Sequence, residues 1–525
     1  MPSSNIMDEQ QTTCIVCGSA ANQRCSRCHV TSYCNREHQK SHWKQHKTDC
    51  RPYVVQENLI LGKYLVASRD LAAGELLLKD VPIVLGLRQI TMPVCVSCSA
   101  SVNGSHCCSE CGWPLCSPEC QRVILHKPEC QASKCRGSKV VISKFFQINE
   151  MYECITPLRC LWLKQNEPKK WDQLMTMESH LDARQKSKAT ELDKTNVIDF
   201  VRGYLKYQDF VDEDVYKVCG ILEVNGFEIP APNFVGLYAN ACRLEHSCVP
   251  NTSRSFDEQM NVVIRAAVPI KKGDHITISY TDQMWGTSSR QLHLNTTKYF
   301  TCECDRCLDP TELGTHYSSI VCQNCSALIT PPKIRTDNWF CTSCNKTVPA
   351  EYVTKLLKTW GEILANLRGN IADSEDFLKS TETDFSENHH YRTDVKLALV
   401  QLIGKQNENQ LAGLTDDQLK TKLHLGKEVL EVADCFSPGC TRLRGLLQFE
   451  IGMTLWEQHR RQPKTIRTSK AAAPMLKESE ICLTEAHQVL SVEFSMQDEH
   501  QVAQQAAEVK LLVAKAITKC KGKKK

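Results

Sequence analysis

The chain has 525 residues, 42% hydrophobic and 24% charged, with a formal net charge of +4. This is ordinary globular material for roughly two to four domains, and too weakly basic for nucleic acid to be its main partner on charge grounds. Residues 1–11 lack an apolar leader core, and no stretch approaches the ~20 apolar residues that span a bilayer, so the expectation is a soluble protein without a membrane partner. Thirty-one cysteines in such a chain point to thiolates on metal in a reducing compartment, nucleus or cytoplasm, rather than to disulfides. The terminal basic cluster, Lys519, Lys521, Lys523, Lys524 and Lys525, reads as a solvated tail.

The first element along the chain is a string of eight candidate ligands: Cys14-x2-Cys17, Cys25-x2-Cys28, Cys34-x3-His38 and His46-x3-Cys50. A cysteine pair two residues apart closes on one tetrahedral metal from a single turn, and a second pair completes the shell, so eight ligands imply two zinc ions. With Gln39 and Trp43 between the last ligands, the string resembles a MYND finger. The resemblance implies that Cys14, Cys17, Cys34 and His38 share one zinc, and Cys25, Cys28, His46 and Cys50 the other. The family usually has cysteine where His38 stands, and His42 is a second candidate for that place. A second string repeats the design: Cys95-x2-Cys98, Cys108-x2-Cys111, Cys116-x3-Cys120 and His126-x3-Cys130, with Cys107 an alternative that the spacing to Cys111 disfavours. By resemblance such a finger docks proline-containing peptides; its plain reading is a clamp on neighbouring elements.

Between the two fingers, short apolar runs around Leu65, Leu76-Leu77-Leu78 and Ile83-Val84, broken by Ala73-Gly74, predict strands with a turn. The pattern returns far downstream at Val262-Val263-Ile264 and Ile276-Thr277-Ile278, joined through Lys271-Lys272-Gly273-Asp274. One small β domain, interrupted by an insertion, accounts for both halves. Within the insertion, Lys144-Phe145-Phe146-Gln147-Ile148 and Val197-Ile198-Asp199-Phe200-Val201 are expected to be helical. After this domain come Cys302-x-Cys304-x2-Cys307, with Cys248 upstream as fourth ligand, and then Cys322-x2-Cys325 with Cys341-x2-Cys344, a four-cysteine ribbon whose closed shell has no chemistry of its own. Leu356, Leu357, Trp360, Ile363, Leu364 and Leu367, and later Leu443, Leu446, Leu447, Ile451 and Leu455, recur at helical spacing and predict a helical C-terminal third.

The order of a MYND finger inside a divided β domain, then Asn225-Gly226-Phe227, Glu245-His246-Ser247-Cys248, Gly273 to Tyr280 and the Cys302 cluster, resembles the SET and MYND family of protein lysine methyltransferases. The extra N-terminal finger suggests its arthropod-type branch. The fold expected is α+β: an N-terminal MYND finger (1–51), a split SET domain (52–92 and 216–282) around a second MYND finger (93–130) and a helical insertion (131–215), a post-SET zinc site (283–308), a zinc ribbon (309–350) and a helical, TPR-like domain (351–525). About six zinc ions and S-adenosylmethionine are the cofactors expected, and a protein lysine, on a histone or another protein, the substrate.

By the same resemblance, Lys63 in the glycine turn, Asn225, Glu245, His246, Tyr280 and Phe300 contact the cofactor, while Tyr280 and Tyr299 shape the lysine channel as catalytic residues. Three positions depart from the family. Tyr64 replaces a glycine that lets backbone approach the cofactor. Glu245 replaces an asparagine, placing an anion that either repels the cofactor's carboxylate or attracts its ammonium or sulfonium. Lys298 stands where the channel tyrosine is usually found, with the phenol one residue later at Tyr299. These departures favour a second expectation, a catalytically weak or inactive SET scaffold that binds partners through its fingers as an adaptor or corepressor.

Overall fold

The computed structural model describes residues 13–25, 31–230, 233–333, 337–367, 369–405, 410–492 and 497–521; Cys28, Lys523, Lys524 and Lys525 lie outside the described residues. The SET strands are β1 (Tyr53–Asn58), β2 (Gly62–Ala67), β3 (Leu76–Asp80), β4 (Pro82–Leu87), β5 (Phe227–Ile229), β6 (Phe234–Tyr238), β7 (Glu245–His246), β8 (Thr252–Phe256), β9 (Val262–Ala266) and β10 (Thr277–Ile278). In β9 the side chains alternate as a half-buried strand requires, Val262, Ile264 and Ala266 all lying in the core. That strand is the seam between the two sequence halves: it pairs antiparallel with β8 on one side and with β3, 180-odd residues upstream, on the other, Ile264 facing Leu78. A second three-stranded sheet joins β4 to β6 and β6 to β5, again across the insertion. The split domain expected from the sequence is thus closed by strand pairing rather than by loop contact.

Two polar devices aim the segment that carries the site. Asp80, at the end of β3, accepts hydrogen bonds from the main-chain N–H groups of Asn240 at 2.7 Å and Ala241 at 3.1 Å, fixing the turn that leads into residues 243–248. Gly273, at φ +91°, turns the chain so that its N–H reaches Ala67 O at 2.9 Å and Ile276 N–H reaches Leu65 O at 2.9 Å, which lays β10 alongside β2 and beside β7.

The second finger sits against β4 through a buried polar chain. His126 Nδ1 is 3.0 Å from Glu129 Oε1, Glu129 accepts from Arg159 at 2.7 Å, and Arg159 donates onward to Leu85 O at 3.0 Å and Val96 O at 2.6 Å. One of the two expected helical stretches is not helical. Residues 144–148 run as an irregular strap, because Val140 N–H is held on Cys111 O at 2.8 Å and the strap crosses the finger, leaving Phe146 90% exposed and only Phe145 packed, over Gly104. Without a buried apolar stripe, nothing favours a helix there. Val197–Val201 does lie in a wide helix, Asp193–Tyr204.

Beyond the ribbon, antiparallel helices follow, among them His390–Leu402, Asp416–Phe436, Arg442–Arg461, Ala473–Leu490 and Gln497–Lys521. Helix Asp416–Phe436 starts on a capping box, Thr415 with Gln418, and buries Leu419, Val429, Ala433 and Phe436 at helical spacing. This domain docks on the SET core where Cys440 N–H meets Ala267 O at 2.8 Å and the Arg306 guanidinium lies 3.3 Å over the Phe436 ring. No helix among the described residues is long and apolar enough to cross a membrane.

Candidate functional site

The cysteine and histidine pairs read from the spacing come together in sets of four, and in the first finger they interleave as the MYND resemblance implies. Ligand atoms lie within 4.8 Å of one another in Cys14, Cys17, Cys34 and His38; in Cys95, Cys98, Cys116 and Cys120; in Cys108, Cys111, His126 and Cys130; in Cys248, Cys302, Cys304 and Cys307; and in Cys322, Cys325, Cys341 and Cys344. Four sulfurs around one zinc at about 2.3 Å stand about 3.8 Å apart. The separations match: 3.6 Å for Cys17 and Cys34, 3.4 Å for Cys98 and Cys116, 3.9 Å for Cys108 and Cys130, 3.9 Å for Cys248 and Cys302, and 3.7 Å for Cys322 and Cys344. These are zinc-binding clusters. His38, not His42, joins the first one, its Nδ1 3.1 Å from Cys34 Sγ, while His42 pairs with the Tyr33 hydroxyl. Cys108 and not Cys107 joins the third. Of the remaining first-finger ligands, Cys25 Sγ is 3.7 Å from Cys50 Sγ and His46 is buried with them.

The Cys248 cluster joins the β7 strip to the segment around Phe300, and the residues named for the cofactor gather on it. Tyr280 N–H donates to His246 Nδ1 at 3.0 Å, so the ring's proton sits on Nε2 and points at Cys248 Sγ, 3.3 Å away. Burial pushes the His246 imidazole down to about 4, so it stays neutral. Both ring nitrogens are therefore engaged within the protein, which leaves the ring faces for a ligand. The ring lies tilted to its aromatic neighbours, with centroids 5.2 Å from Tyr280 and 6.0 Å from Phe300. The Tyr280 hydroxyl donates to Leu244 O at 2.5 Å, and burial raises its pKa.

Beside this cluster opens a cavity of about 860 Å³, lined by Asn225, Gly226, Leu244, Tyr280, Trp285 and Lys298. Asn225 is the last residue of helix Asp212–Asn225 and satisfies Ile221 O at 3.0 Å and Glu178 O at 2.7 Å through Nδ2. Gly226 follows because a Cβ there would lie 2.5 Å from Leu222 O. Tyr299 is elsewhere: at φ +61° it turns off the helical turn Leu294–Lys298, and its hydroxyl donates to Glu223 Oε1 at 2.9 Å with its ring against His180. Of the two adjacent candidates, Lys298 lines the cavity and Tyr299 does not.

The other departures form one contact set. Tyr64 stacks on His275 at 4.7 Å, His275 Nδ1 lies 2.6 Å from Glu245 Oε1, and Glu245 Oε2 is buried without a partner. Lys63, next to Tyr64, is exposed and pairs across the hairpin with Glu57. Sequence reasoning missed His275, and it missed a buried polar group behind the zinc. There, Arg290 Nε donates to Cys248 Sγ at 3.2 Å while Arg290 and Arg306 share Glu312 Oε2 at 3.1 and 3.0 Å. No spacing rule links these residues, and their mostly polar sequence neighbours give no sign that they are buried.

The MYND finger family model matches residues 14–50 and the SET domain model residues 62–281. The chain belongs to the SET and MYND family. SET domain-containing protein SmydA-8 of Drosophila melanogaster, isoform A, is 28% identical over 322 residues, covering 58% of this chain and 67% of that protein; isoform B is 29% identical over 333 residues, covering 59% and 71%. N-lysine methyltransferase SMYD2-B of Danio rerio is 26% identical over 259 residues, 47% of this chain and 58% of that enzyme. A solved structure of Rubisco LSMT bound to AdoMet covers 91% of this SET and MYND chain and 93% of its own at 12% identity, with a TM-score of 0.28, too loose a superposition to support any argument.

Proposed function

We propose that this protein transfers a methyl group from S-adenosylmethionine to a lysine side chain of a histone or other protein, in the nucleus or cytoplasm, with about six zinc ions holding its fingers, post-SET site and ribbon. One observation carries the reading: Asn225, Tyr280 and a site for an alkylammonium converge on one cavity, directly beside the aromatic cluster that the Cys248 zinc site holds. The residues present suit the cofactor. The unpartnered, buried Glu245 Oε2 is an acceptor for its ammonium, and the faces of His246, Phe300 and Tyr280 suit its adenine or sulfonium. When bound, the cofactor supplies an electrophilic methyl group.

The chain's own part is positioning and desolvation. Tyr280, locked on Leu244 O, sets one wall of the lysine site; the main-chain carbonyls of Glu223 and Val224 face the ammonium end. An amine must arrive neutral to act as a nucleophile, and a dry site lowers its pKa. Lys298 reports how dry this one is: burial pushes its ammonium down to about 8. Lys63, exposed beside the turn, and Tyr299, engaged with Glu223, act at the margin of the site in this reading, and the fingers are left free for proline-containing partners.

A second reading has its own support. The Tyr64–His275 stack stands where a glycine would leave room, which suits a SET scaffold that binds partners without turnover. Calorimetric titration of the zinc-loaded full chain with S-adenosylmethionine separates the two. Binding heat followed by label transfer to core histones supports the enzyme; no heat and no thermal protection rejects it in favour of the scaffold.

A further inference from the structure

The cavity already holds an ammonium of its own. Lys298 ends the turn Leu294–Lys298, and its Nζ donates to Glu223 O at 2.7 Å and Val224 O at 2.9 Å. Both carbonyls belong to the last turn of helix Asp212–Asn225, where carbonyls lack partners further along the helix and carry the negative end of its dipole. The Tyr280 ring lies 6.0 Å from the same Nζ, within range of a cation–π contact. Carbonyl oxygens on one side and an aromatic face on another make a receptor for a primary alkylammonium. As a purely structural residue Lys298 is a poor choice, since burying its charge is unfavourable and a methionine would fill the same space. Glu228 and Arg254, which also line the cavity, act on it with opposite signs and do not neutralise it.

We infer that Lys298 is a tethered occupant of the cavity's lysine site: the resting protein keeps the ammonium position filled with its own side chain, and a lysine presented by another protein must displace it. Two ammonium charges cannot share the same pair of carbonyls without like-charge repulsion, so the apparent affinity for an incoming lysine falls by the fraction of time the site stands open. The identity of the incoming group rests on the methyltransferase reading; the ammonium receptor does not.

The test uses full-length, zinc-loaded protein carrying K298A, which deletes a fragment equivalent to n-propylammonium. Added n-propylammonium chloride is expected to raise the melting temperature of K298A and leave the wild type unmoved, with sodium propionate moving neither. K298S, a small polar residue that also leaves the ammonium position open, serves if K298A does not fold. An equal shift in the wild type, or none in a folded variant, overturns the inference. With labelled S-adenosylmethionine and core histones, the folded variant is expected to transfer about tenfold more label than wild type, as for a site held closed about nine-tenths of the time; less transfer than wild type also overturns it. If neither protein binds S-adenosylmethionine, the methyltransferase reading fails and the alkylammonium result alone decides.

Discussion

Glu312→Gln removes the one carboxylate that two buried guanidinium groups share. Arg290 Nη1 and Arg306 Nη2 lie 3.1 and 3.0 Å from Glu312 Oε2, with the arginine side chains fully buried and the glutamate 2% exposed, and Ser318 donates to the other oxygen. Breaking a buried ion pair by removing one partner costs about 3–5 kcal/mol. The amide oxygen of glutamine keeps one hydrogen bond, so the low end, about 3 kcal/mol, is the expected loss. The effect should reach the metal, because Arg290 also donates to Cys248 Sγ at 3.2 Å and to Cys307 Sγ at 3.7 Å. Arg290 therefore links the zinc thiolates to the carboxylate, and freeing it should weaken the hydrogen bonds that stabilise the ligand sulfurs. A chain of several domains does not unfold in one step, so the readout is zinc release to a chromogenic chelator across a urea series, compared with the loss of ellipticity. The zinc-releasing transition should move to lower urea in E312Q. The sign with pH is fixed as well. Burial opposes ionisation, yet Arg306 and Arg290 hold the Glu312 carboxyl below its ordinary value. Its contribution is therefore complete above the ordinary carboxylate range and lost as pH falls through the lowered one, so the two proteins should converge in acid. Equal zinc release at neutral pH would refute the linkage.

Three further outcomes are expected. Cys304→Ala should abolish the heat of S-adenosylmethionine binding while Cys14→Ala spares it, because only the first opens the cluster behind His246 and Phe300; equal loss in both contradicts that division. Between pH 8 and 10.5 the wild type should gain about 3 kcal/mol of stability relative to K298M, since burial depresses the folded-state pKa of Lys298 to about 8, the unfolded chain holds the extra proton, and each pKa unit is worth about 1.4 kcal/mol. Parallel denaturation curves across that range would remove the claim that Lys298 is desolvated; Glu228, Arg254 and His293, which line the same cavity, are common to both proteins and cancel. Metal analysis of protein purified without chelator should return about six zinc ions per chain, and two fewer after Cys25→Ser and Cys34→Ser are combined, which together break both sites of the first finger.

Some of this molecule is legible from sequence because the relevant physics is local. Zinc ligands two residues apart lie on one turn, so the ligand pairs are visible in the spacing, while the interleaving of those pairs in the first finger comes from the resemblance to MYND fingers. The strands that close the split domain declare themselves by apolar runs between glycine turns, and β9 then pairs where its inward residues find Leu78. Legibility ends where a contact depends on how distant segments meet. Nothing near Arg290 points to Glu312, and nothing near Glu129 points to Arg159. The apolar run 144–148 has the composition of a helix and the environment of a strap, and environment prevails. At Lys298 and Tyr299 the difficulty is finer: the chain leaves its helical turn through a left-handed residue at Tyr299, and that one dihedral exchanges which neighbour faces the cavity.

The departures from the family pattern bear on activity through their arrangement more than their number. Residues lost singly from an idle site leave unmatched neighbours: a cavity where a ring was, a charge without a counterion. Here Tyr64 has His275 to stack on and His275 has Glu245 to pair with. Lys298, likewise, has two helix-end carbonyls and an aromatic face. Each substitution is met by a partner of matching chemistry. The conspicuous unmet atom in the group is Glu245 Oε2, a buried carboxylate oxygen one residue along from the cavity-lining Leu244, and the ligand that best completes it carries a positive charge. On the methyltransferase proposal these two features divide the work, Glu245 Oε2 toward the cofactor's ammonium and the Glu223 and Val224 carbonyls toward the substrate lysine, and the calorimetric titration tests the first of them directly.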